Sequence, residues 1–357
     1  MKIKRHKTRM IKIGSLRIGG GYPIAIQSMA KVKTSQTAEA VSQIKELEAC
    51  GCEIVRLAIK DALDAKALKI IKAKVKIPIV ADIHFDWRLA LAAIESGADK
   101  IRLNPGNIYK TEQIREVASA AKSAGIPIRV GVNSGSLKGK RVGHKPQAAV
   151  MVSSVLNYIR ILERFKFHDI VISLKASTVL DTIEAYQNMA NLCDYPLHLG
   201  VTATGLPKQG MIKSSIACGA LLSQGIGDTL RISLTDEPKE EVAAAKAILQ
   251  ALSLRNFGPQ IISCPTCGRC EVDLVRIVRD LESKLQALSP KLQATKPLKV
   301  ALMGCVVNGP GEAKEADLGV AFGKGQGLLF QAGRPIKKVS LNNCVEVLLN
   351  KMGAGNV

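Results

Sequence analysis

The sequence predicts an α/β protein, a TIM (β/α)8 barrel followed by a smaller α+β domain. Eight short apolar, strand-like runs alternate with helix-like segments over about the first 240 residues. Helical stretches recurrently end on a glycine, at Gly51, Gly97 and Gly125, and the alternation breaks around 255–259, just before a run of cysteines. Strands separated by helical crossovers imply a parallel sheet. Eight such units at this length match a closed barrel, whereas an open doubly wound sheet more often has fewer strands and a glycine-rich first turn, which is missing here.

Taken in order, IKIGSLRI reads as a hairpin turning at Gly14 and Ser15, a plug beneath the barrel. The strands follow at 23–29, 53–57, 78–83, 100–103, 127–132, 169–174, 197–201 and 229–234. Between the first two, 37–49 carries Val41, Ile44 and Leu47 at helical spacing, and Gly51 supplies the left-handed stop. The last hundred or so residues read as a helix (272–288), strands at 299–303, 317–322 and 327–330, and a final helix (342–351). GKGQG, at 323–327, reads as a hairpin loop and not as a phosphate cradle. A chain of 357 residues exceeds the size at which one core stops growing, and the boundary is placed to give 1–256 as a substrate-binding barrel and 257–357 as a second domain.

Lys plus Arg number 51 against 30 Asp plus Glu, a net charge of +21 that favours anionic partners. Aromatics are only 3% and the basic residues are spread along the chain, so nucleic-acid binding by base stacking is not expected. The basic start lacks an apolar signal core, and no run of eighteen apolar residues predicts a membrane span. Nine cysteines, odd in number and partly in a C-x2-C cluster, do not resemble a secreted disulfide framework, so a cytoplasmic protein is expected.

Arg56, Arg102, Arg129, Lys175 and Arg231 fall at or near the ends of their strands. Alternate residues of a strand share a face, so if Val55, Leu57, Ile101, Leu103, Ile128, Val130, Leu230 and Ile232 pack on the outer helices, these five cations point inward. Barrel active sites lie at the carboxyl ends of the strands, and converging cations there require a multiply charged anion; a diphosphate fits best. Gln27, Asp82, His84, Asn104, Asn133, Thr202 and Ser233 share that parity and offer hydrogen bonds. A single strand-end arginine is as readily explained by a structural carboxylate partner. His84 has no second histidine at ligand spacing, so a zinc hydrolase site is not supported.

Cys264, Cys267 and Cys270 lie within seven residues, and Cys305 stands in the glycine-rich string MGCVVNGPGE. Four sulfurs on turns suit an iron-sulfur cluster or zinc, and spacing alone does not separate them. Cys50, Cys52, Cys193, Cys218 and Cys344 sit in apolar contexts and read as small buried hydrophobes.

The strings QSM (27–29), VADIHF (80–85), RLNPGN (102–107), GVNSGSL (131–137), HLGVT (198–202), GIGDTLR (225–231), SCPTCGR (263–269) and MGCVVNGPGE (303–312) together resemble the 4-hydroxy-3-methylbut-2-enyl diphosphate synthase family, in the right order over nearly the whole chain. The resemblance implies reductive ring opening and dehydration of 2-C-methyl-D-erythritol 2,4-cyclodiphosphate in the non-mevalonate isoprenoid pathway. It implies a 4Fe-4S cluster held by Cys264, Cys267, Cys305 and Glu312, with Cys270 a bystander. Catalytic roles fall on Glu312, Asn308, His84 and Asp82, and substrate binding on Arg56, Arg102, Arg129, Lys175, Arg231, Ser233, Asn133 and Ser263. Flavodoxin or ferredoxin is the implied electron donor, and the family is a homodimer in which the cluster domain of one subunit covers the barrel of the other. One departure stands out: the family pattern His-Leu-Gly-Val-Thr-Glu-Ala-Gly is here His198-Leu-Gly-Val-Thr202-Ala203-Thr204-Gly205, which removes a carboxylate near the substrate. A diverged iron-sulfur relative acting on another diphosphate, and a zinc-stabilised basic RNA-binding protein, are the alternatives.

Overall fold

Apolar alternation in IKI and LRI makes a hairpin: β1 (Ile11–Ile13) pairs antiparallel with β2 (Leu16–Ile18), turning through Gly14 at φ +55°. Ile11, Ile13 and Ile18 are buried against Ala25, Ile54, Val80 and Val171, residues at or near the starts of barrel strands, so the hairpin closes the barrel floor. The computed structural model describes residues 3–136, 146–292, 298–307 and 309–353. They fall into two compact units, Met1–Arg255 and Asn256–Val357.

The first unit's barrel strands are β3 (Ala25–Met29), β4 (Ile54–Ile59), β5 (Ile79–Ile83), β6 (Lys100–Leu103), β7 (Ile128–Asn133), β8 (Ile170–Lys175), β9 (His198–Leu199) and β10 (Thr229–Leu230). They form one sheet in the order β8-β7-β6-β5-β4-β3-β10-β9, with parallel neighbours throughout. A parallel bridge from Ile172 to Leu197 joins the two edges, so the sheet returns on itself. The crossovers are α1 (Thr37–Ala49), α2 (Ala62–Lys72), α3 (Arg88–Glu95), α4 (Thr111–Ala124), α5 (Gln147–Arg164), α6 (Val179–Ala190), α7 (Pro207–Ser223) and α8 (Pro238–Ala251).

Local chemistry sets the ends of these helices. Asp61 and Thr178 accept from the backbone N–H groups of Asp64 and Asp181 as N-caps of α2 and α6, and α7 and α8 each begin on proline. Gly125 stops α4 in the left-handed region. The last two strands are shorter than the apolar runs 197–201 and 229–234 suggest. Gly200, at φ +155°, takes the chain out of the ladder after Leu199, and the segment after Leu230 bends so that the Leu234 N–H donates to the Glu241 side chain.

The second unit holds one sheet in the order β11 (Gln260–Ser263), β12 (Lys299–Met303), β13 (Leu318–Gly323), β14 (Gln326–Gln331) and β15 (Arg334–Ser340). The first three strands are parallel and the last two antiparallel. Leu274, Ile277 and Leu281 of α9 (Leu274–Leu292) and Leu348 of α11 (Cys344–Lys351) pack on one face of the sheet against Val300, Leu302 and Val320. Ala313 of α10 (Gly309–Lys314) packs on the other face with Ala301, Met303 and Ala321. The GKGQG string is the β13–β14 hairpin, turning at Lys324 and Gly325, both with positive φ as a tight two-residue turn requires. β11, α10 and β15 are additions to the sequence reading. β15 escaped it because RPIKKVS, almost wholly exposed, has the proline and lysines of an edge strand and no apolar alternation.

Candidate active site

Val55, Leu57, Ile101, Leu103, Ile128, Val130, Leu230 and Ile232 are all fully buried under the helices, so the intervening residues turn into the barrel. Asp82 is the hinge of the cation cluster. Its Oδ1 accepts from Arg102 Nη1 at 3.1 Å, and Arg56 Nε lies 3.5 Å from Oδ2. Burial alone would raise the Asp82 pKa, but Arg56, Arg102 and Arg129 outweigh it and bring it to about 2. Arg102 Nη2 also donates to the Gly131 carbonyl at 3.0 Å. That approach needs glycine, because a Cβ at Gly131 would lie 2.7 Å from Ser173 Oγ and 3.0 Å from Arg102 Nε.

Arg129 and Lys175 are different. Arg129 is 1% exposed, and neither its Nε and Nη1 nor Lys175 Nζ has a hydrogen-bond partner among the described residues. Burial, with Arg56 and Arg102 close by, pushes the Arg129 pKa down; burial, with Arg231 and Arg129, does the same to Lys175. Gly200 makes room for Lys175, since a Cβ there would stand 2.6 Å from Nζ. Arg231 has found the structural carboxylate that a lone arginine invites: Nε and Nη2 donate to the two oxygens of Glu241 at 3.2 and 3.1 Å.

The structure adds residues to this set. Lys100 is fully buried with its Nζ unpartnered among the described residues, and burial together with Arg129 and Arg56 lowers its pKa. Lys100 precedes Arg102 by two, so its inward parity was legible in KIR. His198, also fully buried, shares a 2.7 Å hydrogen bond with Thr229 Oγ1 through Nδ1, and burial with Arg129 and Lys175 lowers its pKa. Both amide atoms of buried Gln27 and the Nδ1 of His84 also lack partners among the described residues. Glu241 carried a signal too, a carboxylate on the helical stripe of Val242, Ala245, Ile248 and Leu249. Among the described residues the site thus sets six cations against two carboxylates, Asp82 and Glu241. An anion of two or more charges is the ligand such a site accepts most readily.

Asn133 joins a turn in which Ser136 Oγ donates to the Asn133 carbonyl at 2.8 Å and lies 3.3 Å from Asn104 Oδ1. Ser233 offers its carbonyl to the Thr204 hydroxyl. Ala203, where the family pattern has glutamate, is exposed and sits at φ +54°.

In the second unit, β11 and β12 run in parallel, so Cys264 and Cys305 follow the carboxyl ends of adjacent strands. The Gly304 N–H donates to Cys264 Sγ at 3.3 Å, the kind of backbone support a ligating thiolate receives. Cys267 is exposed in the following turn, and Glu312 is exposed on α10. Cys270 donates its thiol to the Val272 carbonyl at 3.2 Å and packs against Gly304, where a Cβ would meet its sulfur at 2.3 Å. Ser263 and Cys264 line a groove with Thr266 and, from α9, Val278, Arg279 and Glu282. Among the described residues no three His, Cys, Asp or Glu side chains stand close enough to hold a metal ion. The donor chemistry nonetheless fits an iron-sulfur group: thiols on turns and a carboxylate on a short helix, with a backbone amide already aimed at one sulfur. Asn308 lies outside the described residues. Of the remaining cysteines, Cys52, Cys218 and Cys344 are buried, while Cys50 and Cys193 are only half-buried. No described helix is long and apolar enough to cross a membrane.

Comparison with known proteins bears on both units. A family profile described as the GcpE TIM-barrel domain matches residues 8–246, and one described as the GcpE protein C-terminal domain matches 260–354. A curated relative from Dehalococcoides mccartyi, named 4-hydroxy-3-methylbut-2-en-1-yl diphosphate synthase (flavodoxin), is 52% identical over 352 residues, 99% of each chain. A protein of the same name from Fusobacterium nucleatum is 51% identical over 343 residues, 96% of this chain and 95% of its own. Among solved structures, dihydropteroate synthase from Stenotrophomonas maltophilia superposes with a TM-score of 0.53 at 15% identity, covering 69% of this chain and 98% of its own. At that identity the likeness speaks to the barrel fold alone.

Proposed function

This chain belongs to the 4-hydroxy-3-methylbut-2-en-1-yl diphosphate synthase family, and we propose that its barrel cations hold the diphosphate of the substrate while its cysteine loops hold a 4Fe-4S cluster. The enzyme is an iron-sulfur oxidoreductase of the non-mevalonate isoprenoid pathway. It converts 2-C-methyl-D-erythritol 2,4-cyclodiphosphate to (E)-4-hydroxy-3-methylbut-2-enyl diphosphate by reductive ring opening and loss of water. The single observation that carries the assignment of the barrel is the surplus of buried cations. Among the described residues Arg129, Lys175 and Lys100 form no ion pair with a carboxylate, and a bound diphosphate supplies the missing charge.

Each side chain then has a task. Arg102 and Arg56 are held in place by Asp82, while Arg129 and Lys175 offer unshared N–H groups to phosphate oxygens. Asn133 and Ser233 border the same mouth and are read as donors to the substrate. Asp82, pinned as a carboxylate by its arginines, works as an orienting group and not as an acid. His84, two residues on and of the same parity, is the sequence candidate for a proton donor in place of the carboxylate missing at Ala203. Cys264, Cys267, Cys305 and Glu312 would hold the cluster, Ser263 flanks it, and Asn308 follows Cys305 by three. When bound, the cluster would supply single electrons and a Lewis-acidic iron, with Glu312, a carboxylate, as its most weakly held protein ligand.

The relatives' name points to flavodoxin as donor, and the +21 surface would steer such an acidic carrier, or a ferredoxin, toward this chain. The same reading takes the enzyme as a cytoplasmic homodimer; light scattering should give twice 38.2 kDa. The decisive assay is anaerobic turnover of the cyclic diphosphate with reduced flavodoxin. Turnover to the linear diphosphate supports the reading. A protein with a full complement of iron and sulfide that leaves the cyclic diphosphate intact while reducing another diphosphate would instead be a diverged relative.

A further inference from the structure

We propose that Glu241 is a positioning residue for the diphosphate, holding Arg231 by one edge of its guanidinium so that the remaining edge is presented to the anion; this rests on the reading above that Arg231 binds substrate. Glu241 is 1% exposed, and it enters from α8, a helix outside the barrel. Both of its oxygens are committed. Oε2 accepts from Ser28 Oγ and from Arg231 Nε, each at 3.2 Å; Oε1 accepts from Arg231 Nη2 and from the Leu234 N–H, each at 3.1 Å. Lys31 Nζ lies 3.5 Å from Oε1 and donates to the Leu234 carbonyl at 2.8 Å. One carboxylate therefore ties together β3, the loop after it, the end of β10 and the loop that leads into α8.

Two effects of opposite sign follow for an incoming diphosphate. The negative charge of Glu241 weakens the pull of the site on an anion. Its two-point grip on Arg231 fixes the plane of a guanidinium that Arg56 would otherwise repel, and leaves Nη1 outside the pair. A buried ion pair is seldom more stabilising than the apolar side chains that could replace it, so stability alone does not account for a carboxylate at this point. The inference is that orientation outweighs repulsion.

The test is calorimetric titration of the full-length protein with inorganic pyrophosphate, using wild type, Glu241→Gln, Arg231→Met and the double variant, each checked for native circular dichroism. Each single variant should weaken binding by about tenfold. The double variant should bind no more weakly than Arg231→Met alone, because the coupling runs through that one guanidinium. Binding by Glu241→Gln that equals or exceeds that of wild type, or losses that simply add, would overturn the proposal. If Glu241→Gln does not fold, Glu241→Asp keeps the charge but shortens the reach; it should also weaken binding, and unchanged binding would overturn the idea. Wild type that fails to bind pyrophosphate sinks the diphosphate reading itself, and the role of Glu241 with it.

Discussion

In the barrel, the site side chains stand on or beside strands whose neighbours fix them in register: Arg102 opposite Asp82 on one side and Arg129 on the other, Lys175 opposite Asn133. In the second unit the donors stand on turns and on a six-residue helix, with Cys267 and Glu312 exposed and, among the described residues, no three donors close enough together to hold a metal. The contrast teaches how two kinds of ligand are prepared for. On the proposed reading, a polyanion is met by a strand-built interior with a surplus of buried positive charge, at the cost of depressed pKa values and buried N–H groups without a partner among the described residues. On the same proposed reading, a metal cluster would bring its own bond energy, so its thiols can stand on turns and be drawn together when it binds.

The largest effect expected from this contrast is in the second unit. Replacing Cys264, Cys267 or Cys305 by serine should abolish most of the iron and sulfide recovered after anaerobic reconstitution, whereas Cys270→Ser, whose thiol is already engaged by a backbone carbonyl, should keep it. Equal loss at Cys270 would mean that the ligand set is misassigned. Next in size is Ala203, in the loop beyond β9. Restoring the carboxylate with Ala203→Glu should raise anaerobic turnover by about a hundredfold if a positioned acid is what the chain lacks. If instead the rate is unmoved and His84→Gln abolishes it with the cluster intact, His84 already does that work.

Within the barrel, stored charge can be separated from fold. Arg129→Met should weaken diphosphate binding by about thirtyfold, roughly 2 kcal/mol, as calorimetry would show. Its melting temperature without ligand should nonetheless match or exceed that of wild type, because a buried cation with no ion pair among the described residues has been replaced by an apolar chain of similar length. A variant that loses binding only because it is unfolded would break the comparison.

The smallest expected effect is the pH dependence carried by Asp82. Its pKa is depressed in the fold, from 3.8 to about 2, so its stabilising contribution is present above the unfolded value and is lost as pH falls through the folded one. Asp82→Asn should therefore be less stable than wild type by ~2 kcal/mol at neutral pH. In urea titrations the gap should narrow as pH falls from about 4 toward 2, the window between these two pKa values. A gap independent of pH would show that packing, and not the ion pairs with Arg102 and Arg56, is what Asp82 contributes.

Sequence by itself determined the strand count, the plugging hairpin, the β13–β14 turn and the inward parity of the five cations, although Arg56 falls midway along β4 and Arg129 near the start of β7, not at their ends. Each of these follows from spacing along a single element: apolar alternation at period two, glycine at a left-handed position, charge at a fixed offset from a buried neighbour. Cysteine spacing likewise determined which residues are candidates for metal, and left iron-sulfur and zinc undivided. Tertiary structure alone decided which cations are already answered and which are not. Arg231 meets Glu241 from the next helix, Glu241 meets Ser28 across 213 residues of chain, and among the described residues Arg129, Lys175 and Lys100 form no ion pair with a carboxylate. It also decided that β15 completes the second sheet, although its sequence looks like loop. The physical reason is the same in both cases: parity tells a side chain which way to face, but only closing the barrel and pairing the edge bring distant partners to the 3 Å at which charge and hydrogen bonding are settled.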